Sequence, residues 1–150
     1  MKLNTKSRYA VMAMIDLAQH HINDDKSCVP LSLIAQRQNL PIQYLEQLFA
    51  KLRRRELIKS SRGTKGGYEL AKSANNISLY DIIIAADKPV KVTRCSQTKG
   101  CQPNAGSCNA HNLWHELEVV LNDYLRQVSL QDVLSEQKRF PMVVLNGGGT

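Results

Sequence analysis

PIQYLEQLFAKLRRRELIKSSRGTKGGYELA, residues 41–71, is the stretch that decides the fold. Its first half places apolar residues at Ile42, Leu45, Leu48, Phe49 and Leu52, intervals of 3, 3, 1 and 3 that draw one stripe along a helix. Proline is favoured in a first helical turn, so Pro41 opens this helix, read as PIQYLEQLFAKLRRREL. The other face carries Gln43, Tyr44, Gln47, Lys51, Arg54 and Arg55. Behind it, Leu57 to Ser60 and Gly67 to Leu70 read as two short strands around the glycine-bearing tip SRGTKG. A helix with an amide-rich start and a basic end, followed directly by a hairpin, reads as the second helix and the wing of a winged helix-turn-helix.

The neighbouring segments complete that unit. A short helix spans about Leu31 to Gln38. Asn39 and Leu40 end it, because Leu40 precedes Pro41 and is pushed out of the helical region. The first helix runs from about Thr5 to His20, capped by Asn4 or Thr5. Tyr9, Val11, Met12, Met14, Ile15 and Leu17 put apolar groups on most of its faces, which predicts a central, buried helix. After a polar linker, SLYDIIIAAD (78–87) gives a short helix capped by Ser78. A long helix spans about Asn109 to Val128, with a stripe of Leu113, Trp114, Leu117, Val120, Leu121, Tyr124, Leu125 and Val128. Such a stripe is a natural dimerisation element, the other use being to pack on its own domain. A last short helix, SLQDVLSEQ, begins at Ser129. The predicted class is mainly α with a small β-hairpin (α+β). Residues 1–77 form the DNA-binding region, 78–136 a cysteine-bearing loop and the dimerisation helix, and 137–150, ending in GGGT, a flexible tail.

Charge separates the same two halves. Residues 1–72 hold 13 Lys and Arg against 6 Asp and Glu, while 73–150 hold 7 of each, so the whole net charge of +7 sits in the first half. That asymmetry points to a polyanion partner for one half only. The longest apolar run, YAVMAMI (9–15), is too short to span a bilayer, and no signal peptide is visible. The chain reads as cytoplasmic, with reduced cysteines and no membrane partner. No activated nucleophile, acid–base pair or phosphate loop is present, so neither an enzyme nor a small-molecule substrate is expected.

Gln43, Tyr44 and Gln47 sit at the N-terminal end of the third helix, the end that enters the major groove in helix-turn-helix proteins. Glutamine amides match adenine edges. Glu46, on the same turn, cannot attract phosphate; it either selects against wrong sites or accepts from a cytosine amine. Lys51, Arg53, Arg54 and Arg55 then follow the backbone, and Arg62 and Lys65 at the wing tip are free to reach phosphates or a minor groove. The plainer alternative is a solvated helix face; the wing and the charge asymmetry both count against it.

RCSQTKGCQPNAGSCNAHNLW (94–114) carries the second chemistry. Cys95, Cys101, Cys108 and His111 have the spacing C-x5-C-x6-C-x2-H in polar surroundings with little to bury. Structural thiols prefer apolar neighbours, so ligation explains them better than burial. Cys108 and His111 are three apart at a helix start, where thiolates are favoured. Three sulfurs and one nitrogen suit zinc. The wide gaps suit a larger object, such as an iron–sulfur cluster. His115 is a rival nitrogen ligand but reads better as an exposed helix histidine, and Cys28 reads as a small packed residue.

With these motifs the chain resembles the family of IscR-like iron–sulfur cluster regulators, small winged-helix transcription regulators of bacteria. The resemblance covers nearly all of residues 1–136 and rests on SRYAVMAMIDLA (7–18), YLEQLFAKLRR (44–54), RGTKGGYELAK (62–72) and the cysteine motif with its LW (94–114). It implies a homodimer on a pseudo-palindromic operator in double-stranded DNA. It implies one 2Fe–2S cluster per subunit, on Cys95, Cys101, Cys108 and His111, sensing cluster status for genes of cluster assembly, iron and oxidative stress. It also implies base contacts from Gln43, Tyr44 and Gln47 and minor-groove insertion by Arg62. The second cysteine gap, 6 residues, is longer than the family's usual spacing, and Gln43 stands where a smaller polar residue is common. The rival reading is a winged-helix regulator stapled by zinc.

Overall fold

A computed structural model describes residues 3–23, 28–93 and 108–135, and among these the chain forms six α-helices, one hairpin and a turn of 3-10 helix. Cys95, Cys101 and the tail 137–150 lie outside the described residues.

The first helix, α1 (Thr5–Asn23), begins where Asn4 accepts a hydrogen bond from the Lys6 amide at 2.8 Å. It is the central helix, touching α2 (Leu31–Gln38), α3 (Ile42–Arg54), α4 (Leu79–Ala86) and α6 (Leu130–Leu134). Ala10, Ala13 and Ala18 are as fully buried as Met14 and Leu17, so small side chains let the neighbouring elements approach it. Met12, expected among its apolar faces, is exposed.

Asn39 closes α2 in the left-handed conformation at φ 52°, and its amide reaches the Ala35 and Gln36 carbonyls. Pro41 caps α3 rather than lying inside its first turn. Leu45, Leu48, Phe49 and Leu52 are buried as the stripe predicts, whereas Ile42, at the open end of the helix, is exposed. The helix ends at Arg54 instead of running on to Leu57. Glu56 turns the chain at φ 59°, which delivers Leu57 and Ile58 into the core.

Strands β1 (Ile58–Ser61) and β2 (Gly67–Leu70) pair antiparallel, with Ile58 opposite Leu70 and Ser61 opposite Gly67. A further rung was not foreseen: Val29 and Tyr68 exchange both backbone hydrogen bonds at 2.8 Å. Gly67 makes this approach possible, because a Cβ there would lie 2.4 Å from the Val29 carbonyl oxygen. Phe49 of α3 meets Tyr68 edge to face, with centroids 4.9 Å apart, so the hairpin is seated on α3.

The linker after the hairpin is polar but anchored. Ala74–Asn76 makes the 3-10 turn, and Ala74 and Ile77 are buried. Two capping boxes follow, Ser78 with Asp81 on α4 and Ser129 with Asp132 on α6. Ser78 and Ser129 face each other across an antiparallel bridge, where the Leu79 amide donates to Val128 at 2.9 Å and Leu130 to Ile77 at 2.8 Å. The C-terminal end of the long helix α5 (His111–Gln127) is thereby sewn to the start of α4, and the Arg126 guanidinium stacks 3.9 Å over the Tyr80 ring. Ile77, Ile82 and Leu130 share one core with Leu17 and Phe49. The stripe of α5 does not enter that core: Val128 is buried, but Leu113 is 57% exposed, and Trp114 and Val120 are also exposed.

Candidate nucleic-acid interface and metal centre

The α2–turn–α3 unit presents Gln43, Glu46 and Gln47 to solvent on the first two turns of α3, with Arg53, Arg54 and Arg55 exposed at its end. Tyr44 is half-buried, because its ring packs edge to face on Tyr9 of α1 at 5.9 Å. Burial, and to a smaller degree the neighbouring Tyr9, raises the Tyr44 hydroxyl above its ordinary pKa, so it stays a neutral donor and acceptor. Arg62 and Lys65 stand exposed at the wing tip, in a turn opened by Gly63 at φ 110°.

Two basic residues of α3 have intramolecular work. The Arg53 guanidinium donates to Ser60 Oγ at 3.1 Å, tying the end of α3 to β1. Lys51 is half-buried, and its ammonium donates to the Ala86 carbonyl at 3.0 Å, tying α3 to the end of α4. Lys51, Arg54, Arg55 and Lys88 line one shallow cleft between those helices, with Asp87 the one acidic residue among its lining, so the basic strip extends away from the N-terminal end of α3.

One polar cluster escaped the sequence reading. Asp16, 4% exposed in the middle of α1, accepts from Arg37 Nη2 at 2.6 Å, from Arg37 Nε at 3.1 Å and from Gln38 at 2.9 Å. Burial alone would raise its carboxyl. The hydrogen bonds from Arg37 and Gln38, with the charges of Arg37 and His20, outweigh that and hold it below the usual carboxylate range. The Arg37 guanidinium is raised in turn by its bond to Asp16. The available signal was one acidic residue inside the otherwise apolar run 9–18.

At the second site, Cys108 and His111 lie one turn apart at the start of α5, both half-buried, and the His111 amide donates to the Cys108 carbonyl at 3.0 Å. Among the described residues no three His, Cys, Asp or Glu side chains gather as a metal site, and Cys95 and Cys101 are outside those residues. His115, one turn further on, is exposed, as a plain helix histidine would be. Cys28 is a half-buried free thiol beside the Val29–Tyr68 rung. Glu118 and Asn122 of α5, unnoticed in the sequence, hold the chain that leads from α4 toward the cysteines.

A family model described as Rrf2, iron-dependent transcriptional regulator, matches residues 3–136. The chain belongs to the Rrf2 family. It is therefore a transcriptional regulator rather than an enzyme, as its Rrf2 relatives are. One of these, the HTH-type transcriptional regulator IscR of Sodalis glossinidius, is 40% identical over 143 residues, covering 95% of this chain and 84% of that one. Among solved Rrf2 structures, IscR of T. potens superposes with a TM-score of 0.69 at 37% identity, covering 90% of this chain and 87% of that one. CymR, the global cysteine regulator of B. subtilis, superposes with a TM-score of 0.73 at 32% identity, covering 90% and 97%. The winged helix-turn-helix expected from residues 41–71 is the Rrf2 fold. No helix among the described residues is long and apolar enough to cross a membrane.

Proposed function

We propose that this Rrf2 regulator is a homodimer that senses iron–sulfur cluster status through a 2Fe–2S cluster in each subunit and controls genes of cluster assembly and related iron and oxidative stress responses. The observation that carries the reading is the pairing of Cys108 and His111 on one turn at the start of α5, the helix whose apolar stripe stands open. The donors fit the group: a half-buried imidazole and a half-buried thiol one turn apart can face one point. Cys95 and Cys101 would complete the set. Bound there, a 2Fe–2S cluster supplies one-electron chemistry and iron–thiolate bonds that oxidants can break.

Gln43, Tyr44 and Gln47 read base edges, Glu46 selects against mismatched sites, and Arg62 enters the minor groove at each half-site of a pseudo-palindromic operator. Arg54 and Lys65 meet phosphates. Lys51 adds its charge to that strip from within the joint between α3 and α4. This joint links the reading helix to the element from which the cysteine-bearing segment departs. Ligation at Cys108 and His111 changes DNA affinity only as far as it favours one setting of the two reading heads.

The test is metal and sulfide content with visible absorbance of anaerobically prepared protein. Iron and sulfide in equal amounts, with charge-transfer bands lost in Cys95→Ala, Cys101→Ala and Cys108→Ala, support the reading. One zinc per subunit without iron or sulfide overturns it in favour of a zinc-stapled regulator with no sensing role.

A further inference from the structure

The cleft between α3 and α4 holds more positive charge than the fold itself uses. Lys51, Arg54, Arg55 and Lys88 share its walls with one carboxylate, Asp87. That carboxylate is already engaged, since the Asn4 side-chain amide donates to its Oδ2. Among the described residues none of the four cations is ion-paired. Lys51 gives one N–H to the Ala86 carbonyl, and an ammonium has three. Lys51 and Arg55 stand four apart at the end of α3, a like-charge spacing that costs stability. Arg54, Arg55 and Lys88 are exposed. An anion from outside the chain would relieve this repulsion.

The period of α3 relates the cleft to the residues that read bases. From Gln47 to Arg54 the helix rises about 10.5 Å, and the two lie within about 20° of each other around its axis. Gln43 is on the same line, about 16.5 Å before Arg54. The major groove is about 8.5 Å deep and 12 Å wide, so with Gln43 and Gln47 at base edges Arg54 stands at the groove's lip, where the phosphates run. Lys51 and Arg55 lie about 60–100° to one side of that line. It is the side that meets α4, because Lys51 bonds to Ala86 there. Lys88 adds a fourth cation from just past the end of α4. A shallow, open cleft suits one phosphate of a polymer held elsewhere better than a free small ligand, which needs most of its surface enclosed.

We propose that this cleft seats a backbone phosphate of the bound DNA, and that Lys88 carries the DNA surface beyond the basic half of the chain. This rests on α3 as the reading helix and not on the metal centre. Residues 73–150 hold 7 cationic and 7 acidic residues, so the charge count gave Lys88 no mark. The contact is made where the chain leaves α4, the helix that packs on α1, α3 and α5.

Full-length wild type first selects a binding duplex from random DNA. Affinity for that duplex is then followed against salt for wild type, Arg55→Ala, Lys88→Gln, Lys88→Arg and Gln47→Ala. Arg55→Ala and Lys88→Gln should each flatten the slope of log affinity on log salt by about 0.9 for every phosphate left without its cation, on selected and random duplexes alike. Lys88→Arg should restore the slope. The selected duplex is also made with single methylphosphonates, each removing one backbone charge. At one position the substitution should weaken wild type by the factor that Lys88→Gln costs, and should leave Lys88→Gln unaffected. Both side chains are exposed, so their loss leaves the core intact. Wild-type slopes in both variants, or no methylphosphonate whose effect depends on residue 88, overturn the proposal. Variants that bind DNA normally but lose binding to polyglutamate assign the cleft to an acidic polypeptide, which also overturns it. Gln47→Ala should lose sequence preference and keep the slope. If its preference is unchanged, the reading role of α3 falls, while the methylphosphonates still decide the cleft.

Discussion

Asp16 shows how one residue can carry a joint. It fastens the first helix of the fold to the end of α2, and its folded carboxyl sits below the ordinary value. The paired carboxylate therefore stabilises the fold at neutral pH, and that contribution drains away as pH falls below about 3.9 toward the folded value. Asp16→Asn should flatten the acid limb of stability against pH, read by urea unfolding at stepped pH. Arg37→Ala leaves the charge buried without its partner and should cost about 3 kcal/mol at neutral pH, the low end for a broken buried pair. Arg37 keeps 31% of its side chain exposed, which is why the low end applies. At the DNA surface, Arg62 and Arg54 should fail differently. Arg62→Ala should lose specific operator binding, since one guanidinium leaves a narrow groove at each half-site. Arg54→Ala should weaken all sequences alike and reduce the salt slope by about one unit for each phosphate left without its cation. Equal loss on specific and random DNA in Arg62→Ala would reduce the wing to an electrostatic foot.

Among the elements, the wing depends on a contact outside its own hairpin. Gly67→Ala would drive a methyl against the Val29 carbonyl, where φ 154° also suits glycine. Overpacking of this kind costs about 1–3 kcal/mol. The Val29–Tyr68 rung should open, and operator affinity should fall more than affinity for random DNA. Unfolding midpoints and binding to both DNAs would check this, and unchanged operator binding would mean that the rung does not seat the wing. The reading helix was largely legible in sequence because four buried positions, Leu45, Leu48, Phe49 and Leu52, follow its period. Its end was not, because the left-handed turn at Glu56 answers to the burial of Leu57 and Ile58, a demand made by the rest of the core.

For the whole molecule, the open stripe of α5 and the proposed metal site should be coupled through assembly. Val120→Glu puts a charge at the exposed centre of that stripe. It should yield monomers by sedimentation and weaken operator binding steeply, since linked half-sites no longer bind as one ligand. A dimer unchanged by Val120→Glu would place the interface elsewhere. His111→Cys should retain a cluster of lower reduction potential that is lost more slowly, because a fourth thiolate adds negative charge and a fourth strong ligand. Potentiometry and the rate of bleaching in air would measure both.

Local physics was enough to recover α3, the hairpin strands, the Ser78 cap and the C-x5-C-x6-C-x2-H pattern, whereas Ser129, read as the first residue of the last helix, is its cap. Periodicity, capping and ligand spacing are written in residues close together along the chain. What depends on distant pairs was decided only in three dimensions. Asp16 finds Arg37 across two helices, Val29 joins a sheet formed 39 residues later at Tyr68, and Lys51 meets Ala86. Glu118 and Asn122 looked like ordinary helix polar residues until the fold laid the backbone of Val90 and Val92 beside them. A polar side chain declares its role through the partner it meets, and for these residues folding supplied that partner from far along the chain.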